Sequence, residues 1–154
     1  MKSRIHLGIW LLVVTGAAGF ISCKKDSPAK SRTELLTTGT WKRTALTSKP
    51  AYDWYNNGTK GTDILAYMWP CEKDDFETYK TNGVLEINEG ATKCDPSADQ
   101  TWSVSWEFKS NESLIRFEGT YDVTIDELTE TTLKFHYTFE ENGVNYTHYE
   151  SWAH

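Results

Sequence analysis

The pair Asn82-Gly83, set between Cys71 and Cys94, constrains this chain more than any other feature. Asn-Gly is the strongest short-range hairpin signal, because a type I′ turn needs positive φ at both central residues. In a two-residue turn the paired positions sum to 165, so 81 faces 84 and 80 faces 85. Cys71 and Cys94 obey the same sum, and facing positions of an antiparallel pair lie within disulfide range. A three-residue loop moves the match by one position only. The spacing predicts strands near 75–80 and 84–89 with a disulfide closing their base.

A second Asn-Gly pair, Asn142-Gly143, predicts another hairpin. Its pairs sum to 285, which sets Phe139 opposite Tyr146, Tyr137 opposite His148 and Leu133 opposite Trp152. Apolar residues then meet on one face, as a half-buried pair requires. Between the hairpins, Thr101–Lys109 alternates strictly. Trp102, Val104, Trp106 and Phe108 share one face, and Ser103, Ser105, Glu107 and Lys109 share the other. Strands also read over 113–118 and from Tyr121, with Tyr121, Val123 and Ile125 inward. Upstream, Thr33 reads as the N-cap of a helical turn that stops at Gly39. Gly39-Thr40-Trp41 then opens a strand through about Ser48.

The count is eight strands, with no βαβ spacing and no long helix. The predicted class is all-β: an eight-stranded antiparallel up-and-down barrel with a short N-terminal helical turn. Closure removes exposed strand edges. Eight strands leave room for packed side chains or for one small ligand.

The chain has 154 residues, enough for one domain. Its start does not read as fold. Lys2 and Arg4 precede an apolar run over 5–21 that ends at Ser22-Cys23, the order of a secretory leader. A small residue followed by Cys resembles the lipobox of bacterial lipoproteins. The expected division is a leader over 1–22, a lipidated Cys23 with a polar linker over 23–32, and a barrel domain over 33–154. With Cys23 acylated, two cysteines remain, and an even pair in an exported protein suggests a disulfide. Closing that loop stabilises the fold by about 3 kcal/mol on the chain-entropy view. The linker, Lys24 to Arg32, carries four basic residues and one acid, which suits anionic headgroups. From Thr33 onward there are 10 basic and 21 acidic residues, a balance of −11 that argues against nucleic acid as a partner.

Several stretches together resemble a known family. They are the Cys23-Lys24-Lys25-Asp26 start, Gly39-Thr40-Trp41, the block from Cys71 to Pro96, Thr101-Trp102-Ser103-Val104-Ser105, and Thr131-Thr132-Leu133-Lys134-Phe135. The chain looks like the lipocalin-like domain of Bacteroidota lipoproteins, over roughly Thr33 to Trp152. The resemblance implies a calycin-type barrel and a bacterial cell-envelope location, as an outer-membrane lipoprotein held by its lipid. It implies no particular reaction. Lipocalins proper place a late Arg on the first-strand Trp, and Arg116 and Arg43 are the candidates for that place here.

The expected ligand-binding set is Trp41, Trp54, Tyr55, Tyr67, Trp69, Trp102, Trp106, Tyr121 and Tyr146. Rings on the inward faces either line a cavity or fill the barrel. The aromatic connection over 49–70 is either a lid across the mouth or a plug packing its own residues. The same rings suit sugar stacking, so a glycan-binding or assembly module stands beside a small apolar or amphipathic ligand. No catalytic residues, metal or cofactor are read. Glu72-Lys73-Asp74-Asp75 lacks calcium-loop spacing, His136 and His148 fall on opposite faces, and no catalytic motif appears. The expectation is a non-enzymatic, monomeric binding protein anchored to a membrane.

Overall fold

The computed structural model describes residues 29–154. The leader and Cys23 lie outside the described residues. The first element is α1 (Arg32–Leu36). Its N-cap is Ser31, not Thr33. The Ser31 hydroxyl accepts from Glu34 N at 3.2 Å, and Ser31 N donates to the Glu34 carboxylate at 2.7 Å. This reciprocal Ser-x-x-Glu box satisfies two donors that the helix start leaves free. Leu36 is buried, and its carbonyl accepts Trp41 Nε1 at 2.9 Å.

The strands follow as β1 (Trp41–Tyr52), β2 (Gly61–Asp63), β3 (Phe76–Tyr79), β4 (Val84–Asn88), β5 (Thr101–Lys109), β6 (Leu114–Phe117), β7 (Tyr121–Leu128), β8 (Thr132–Glu141) and β9 (Val144–Ala153). All pairings are antiparallel. β1 pairs with β9 over Lys42–Lys49, and with β3 at Trp41↔Glu77 and Lys42↔Phe76. β1 and β3–β9 thus form a closed eight-stranded barrel. The ninth strand, β2, takes the far half of the β1 edge, at Thr47↔Asp63 and Tyr52↔Gly61. β1 therefore runs four residues beyond Ser48. The connection after it holds β2, α2 (Ile64–Tyr67) and α3 (Pro70–Lys73), elements the sequence did not announce.

The two Asn-Gly turns differ. Asn142 and Gly143 both take left-handed φ, +53° and +77°, and the pairs Glu141↔Val144, Phe139↔Tyr146, Tyr137↔His148 and Leu133↔Trp152 follow as expected. At the first turn Gly83 takes φ +80° and Asn82 does not. Gly83 N donates to Lys80 O at 3.0 Å, and Lys80 N to Val84 O at 2.8 Å. The loop is three residues long, a turn followed by a left-handed glycine. The register becomes Tyr79↔Leu85 and Phe76↔Asn88, one step from the two-residue expectation.

Cys71 and Cys94 form a disulfide, with Cα atoms 5.2 Å apart. They do not face each other on paired strands, because β3 begins at Phe76 and β4 ends at Asn88. Side-chain bonds bring them together instead. Asp74 Oδ2 accepts from Ala91 N and Thr92 N, both at 2.9 Å, and Glu89 accepts from Cys94 N at 3.0 Å. The bridge ties α3 to the loop after β4.

Two bulges redirect the alternation. In β1 the register skips Thr44, between Arg43↔Trp152 and Ala45↔Ser151. Inward positions therefore change from 41 and 43 to 46 and 48, and Leu46 and Ser48 are fully buried. In β7 the skip falls at Asp126, so Val123 and then Leu128 reach the core. Trp41, Tyr79, Trp106, Ile115, Leu133 and Trp152 pack with Leu36 in the main core cluster. A second cluster, Leu46, Ile64 and Met68, seats the connection against β1. Neither candidate Arg covers Trp41. Arg116 pairs with Asp122 at 2.6 Å, Arg43 lies 4.6 Å over the Trp152 ring, and His154 stacks on Trp41 at 3.9 Å.

Candidate functional site

The core does not fill the barrel. A cavity of about 290 Å³ opens among Leu85, Ile87, Val104, Val123, Phe135 and Trp152. Its walls also hold Trp54, Tyr79, Phe117, Tyr121 and Tyr137. A second hollow of about 330 Å³ shares Trp54, Tyr121 and Tyr137 with it and is completed by Tyr52, Phe139 and His148. A third, about 230 Å³, lies under the connection, between Trp54, Tyr55, Ile64, Tyr67 and Trp69. Trp54 borders all three. Apolar walls with a few convergent polar groups are the usual composition of a small-molecule site. A larger hollow, about 660 Å³, runs along β1 beside β2 and α2, but no aromatic ring lines it. The barrel cavity is the better candidate on that ground.

The polar groups of the cavity are Arg43, Glu77 and Glu150. Each arrives by alternation. Glu77 shares the face of buried Tyr79 on β3, and Glu150 sits between His148 and Trp152 on the inward face of β9. Arg43 is the last inward residue of β1 before the bulge. Arg43 Nε donates to Glu150 at 3.0 Å, its plane covers Trp152, and its other end meets Met68 Sδ at 3.8 Å. Tyr79 donates its hydroxyl to Glu77 at 3.2 Å. Two carboxylates thus face one guanidinium.

Their acidities follow from place. Glu77 lines the cavity and is only partly exposed. Burial, and then the negative charge of Glu150, push its carboxyl up to about 7. Burial also raises Glu150, with Arg43 opposing. The Tyr137 hydroxyl is pushed up to about 12, mainly by burial and then by Glu150. His148 is lowered by burial, so its neutral form is favoured. Its Nδ1 meets the Tyr137 hydroxyl at 3.1 Å, and its ring lies 4.8 Å from Phe139 and 5.0 Å from Tyr52.

The nine expected ligand residues divide. Trp54 and Tyr121 line the barrel cavity. Tyr55, Tyr67 and Trp69 line only the hollow under the connection. Tyr67 and Trp69 stand 49% and 56% exposed, and Trp69 stacks on Tyr55 at 4.8 Å. Tyr55 also donates to Glu72 and accepts from Trp69 N at 2.9 Å, which fixes the stack to α3. Tyr146 is buried against Tyr52 and Phe139. Trp41 and Trp106 are packed core and border none of the three hollows. Trp102 keeps the parity of Val104 and Trp106, but it lies at the start of β5, beyond the packed layers, and is 44% exposed. The connection is both lid and plug: Ile64 and Met68 bury themselves, while Trp54 covers the mouth.

Arg43, Glu77, Tyr79, Tyr137 and Glu150 were not among the expected site residues. The signal for Glu150 was present, since Tyr146, His148, Glu150 and Trp152 hold one parity on β9. A scan against protein-family models found no match to this chain, and a search of curated proteins found none either.

Proposed function

We propose that this protein is a lipid-anchored, lipocalin-like binding protein of the bacterial cell envelope that holds a small apolar or amphipathic molecule in its barrel. One observation carries the binding half of this reading: the cavity is hollow, apolar over most of its wall, and open toward the aromatic mouth under Trp54. The leader ending at Ser22-Cys23 and the basic linker support the anchor. Acyl chains on Cys23 would hold the protein stably, at about 0.8 kcal/mol per buried CH₂. The role asks only for binding, so no reaction is assigned. A surface glycan module is the competing role; it draws on Trp69, whose ring is more than half exposed.

Intact-mass spectrometry under native conditions tests both halves at once, on protein extracted from its host membrane. The expected spectrum shows a covalent lipid mass on the fragment containing Cys23 and a released small molecule of amphipathic character. An unmodified Cys23 removes the anchor. A clean apo mass that gains nothing from amphipathic probes removes the cavity ligand and leaves the glycan role.

A further inference from the structure

We infer that the barrel cavity selects a compact hydrophobic cation, an amine with an aromatic or aliphatic body, and that Glu77 receives its ammonium group. This rests on the binding role proposed above and names its ligand class. Three observations carry it.

The first is the charge count at the polar end. Two carboxylates, Glu77 and Glu150, meet a single guanidinium. Arg43 is already committed, bonded to Glu150 and flat on Trp152. Glu77 has no ion pair among the described residues, and its one side-chain partner is the Tyr79 hydroxyl. A ligand carboxylate would have to displace Glu150 from Arg43 and sit beside Glu77. An ammonium completes the set, since a carboxylate removed from bulk water is stabilised by a positive partner.

The second is the wall. Tyr121 and Tyr137 meet edge to face at 5.2 Å, and both line the cavity together with Trp54. Ring faces attract a cation directly and cover an apolar body equally well. The third is reach. The cavity is a small one, close to the lower end of ligand sites at about 300 Å³. It suits one ring or a short chain better than a long acyl tail.

The groups facing Glu77 also make the selection depend on pH. They are Arg43 from β1, Glu150 from β9, and Tyr79 with Asp75 from its own segment. With its carboxyl near 7, Glu77 is neutral in mild acid and charged above neutrality. Amine affinity should therefore rise between pH 6 and pH 8.

Calorimetry on the full chain in detergent, with three probes that share a phenyl ring on a two-carbon chain, tests the inference: 2-phenylethylamine, 2-phenylethanol and 3-phenylpropanoate. The amine should bind best, by about tenfold or more over the alcohol, the gain expected of a charge-assisted bond. Glu77→Gln keeps the shape and should erase both that preference and its rise with pH. Equal or better binding of the alcohol or the acid overturns the cation and leaves the binding role standing. An amine affinity unmoved by Glu77→Gln, in protein shown folded by its circular dichroism, overturns the assignment to Glu77. No binding of any probe overturns the inference and the hollow-barrel role together.

Discussion

The same dipeptide makes two different turns in this barrel. Asn142-Gly143 sits in open solvent, and nothing approaches the position of a Cβ on Gly143. There local backbone preference decides, and the two-residue turn with both residues left-handed results. Asn82-Gly83 lies against β5. Gly83 O accepts from Trp106 N at 2.8 Å, Lys80 O accepts from Trp106 Nε1 at 3.2 Å, and a Cβ on Gly83 would come within 3.1 Å of Trp106 O. A ladder bond and an indole cap hold the wider loop in place. The second hairpin is organised by its turn, the first by a tryptophan 23 positions further along the chain and by a disulfide that ties α3, before it, to the loop after it.

The sharpest way to break this comparison is Trp106→Ala. It removes a buried ring and the cap on Lys80 together, and should cost about 3–5 kcal/mol in urea unfolding, as large-to-small core changes do. The amide signals of 80–84 should shift widely while those of 140–145 stay put. Disturbance at both turns alike would end the distinction. Next comes replacement of both Cys71 and Cys94 by Ser, with an expected loss of about 3 kcal/mol. Hydrogen exchange should quicken in α3 and the loop after β4, and not in β8 and β9. Protection lost evenly around the barrel would mean that the bridge does not serve the first hairpin in particular. The smallest effect is a pair of glycine changes. Gly143→Ala should cost about 1–2 kcal/mol, the penalty of a left-handed side chain. Gly83→Ala pays the same penalty and must also push back the Trp106 carbonyl, so it should cost measurably more. Equal losses in thermal melts would mean that β5 exerts no hold on the turn.

The sequence made legible what depends on short spacing. Leu133↔Trp152 and Phe139↔Tyr146 followed from one turn, and Trp106 and Val104 from alternation. Contacts set by distant partners were not legible. The bulge at Thr44 carries no local mark, yet it decides that Leu46 and Ser48 face inward and that Arg43 ends beside Glu150. The candidate site divided the same way. Trp54 and Tyr121 were visible because aromatic rings need cover. Glu77 and Glu150 were not among the expected site residues, because a carboxylate inside a barrel makes sense only once Arg43 is seen next to it. The exposure of Trp102 was hidden too, since alternation gives a face and not a depth.

β1 has a further consequence. Its pairing with β3 stops after two residues, and the rest of that edge is covered only by the three residues of β2. An uncovered strand of this length is a template for a strand from another molecule. The connection over 53–75 is therefore also a guard against self-association. Cutting it short to widen the pocket would trade a better-exposed cavity for a protein prone to pair with its own copies.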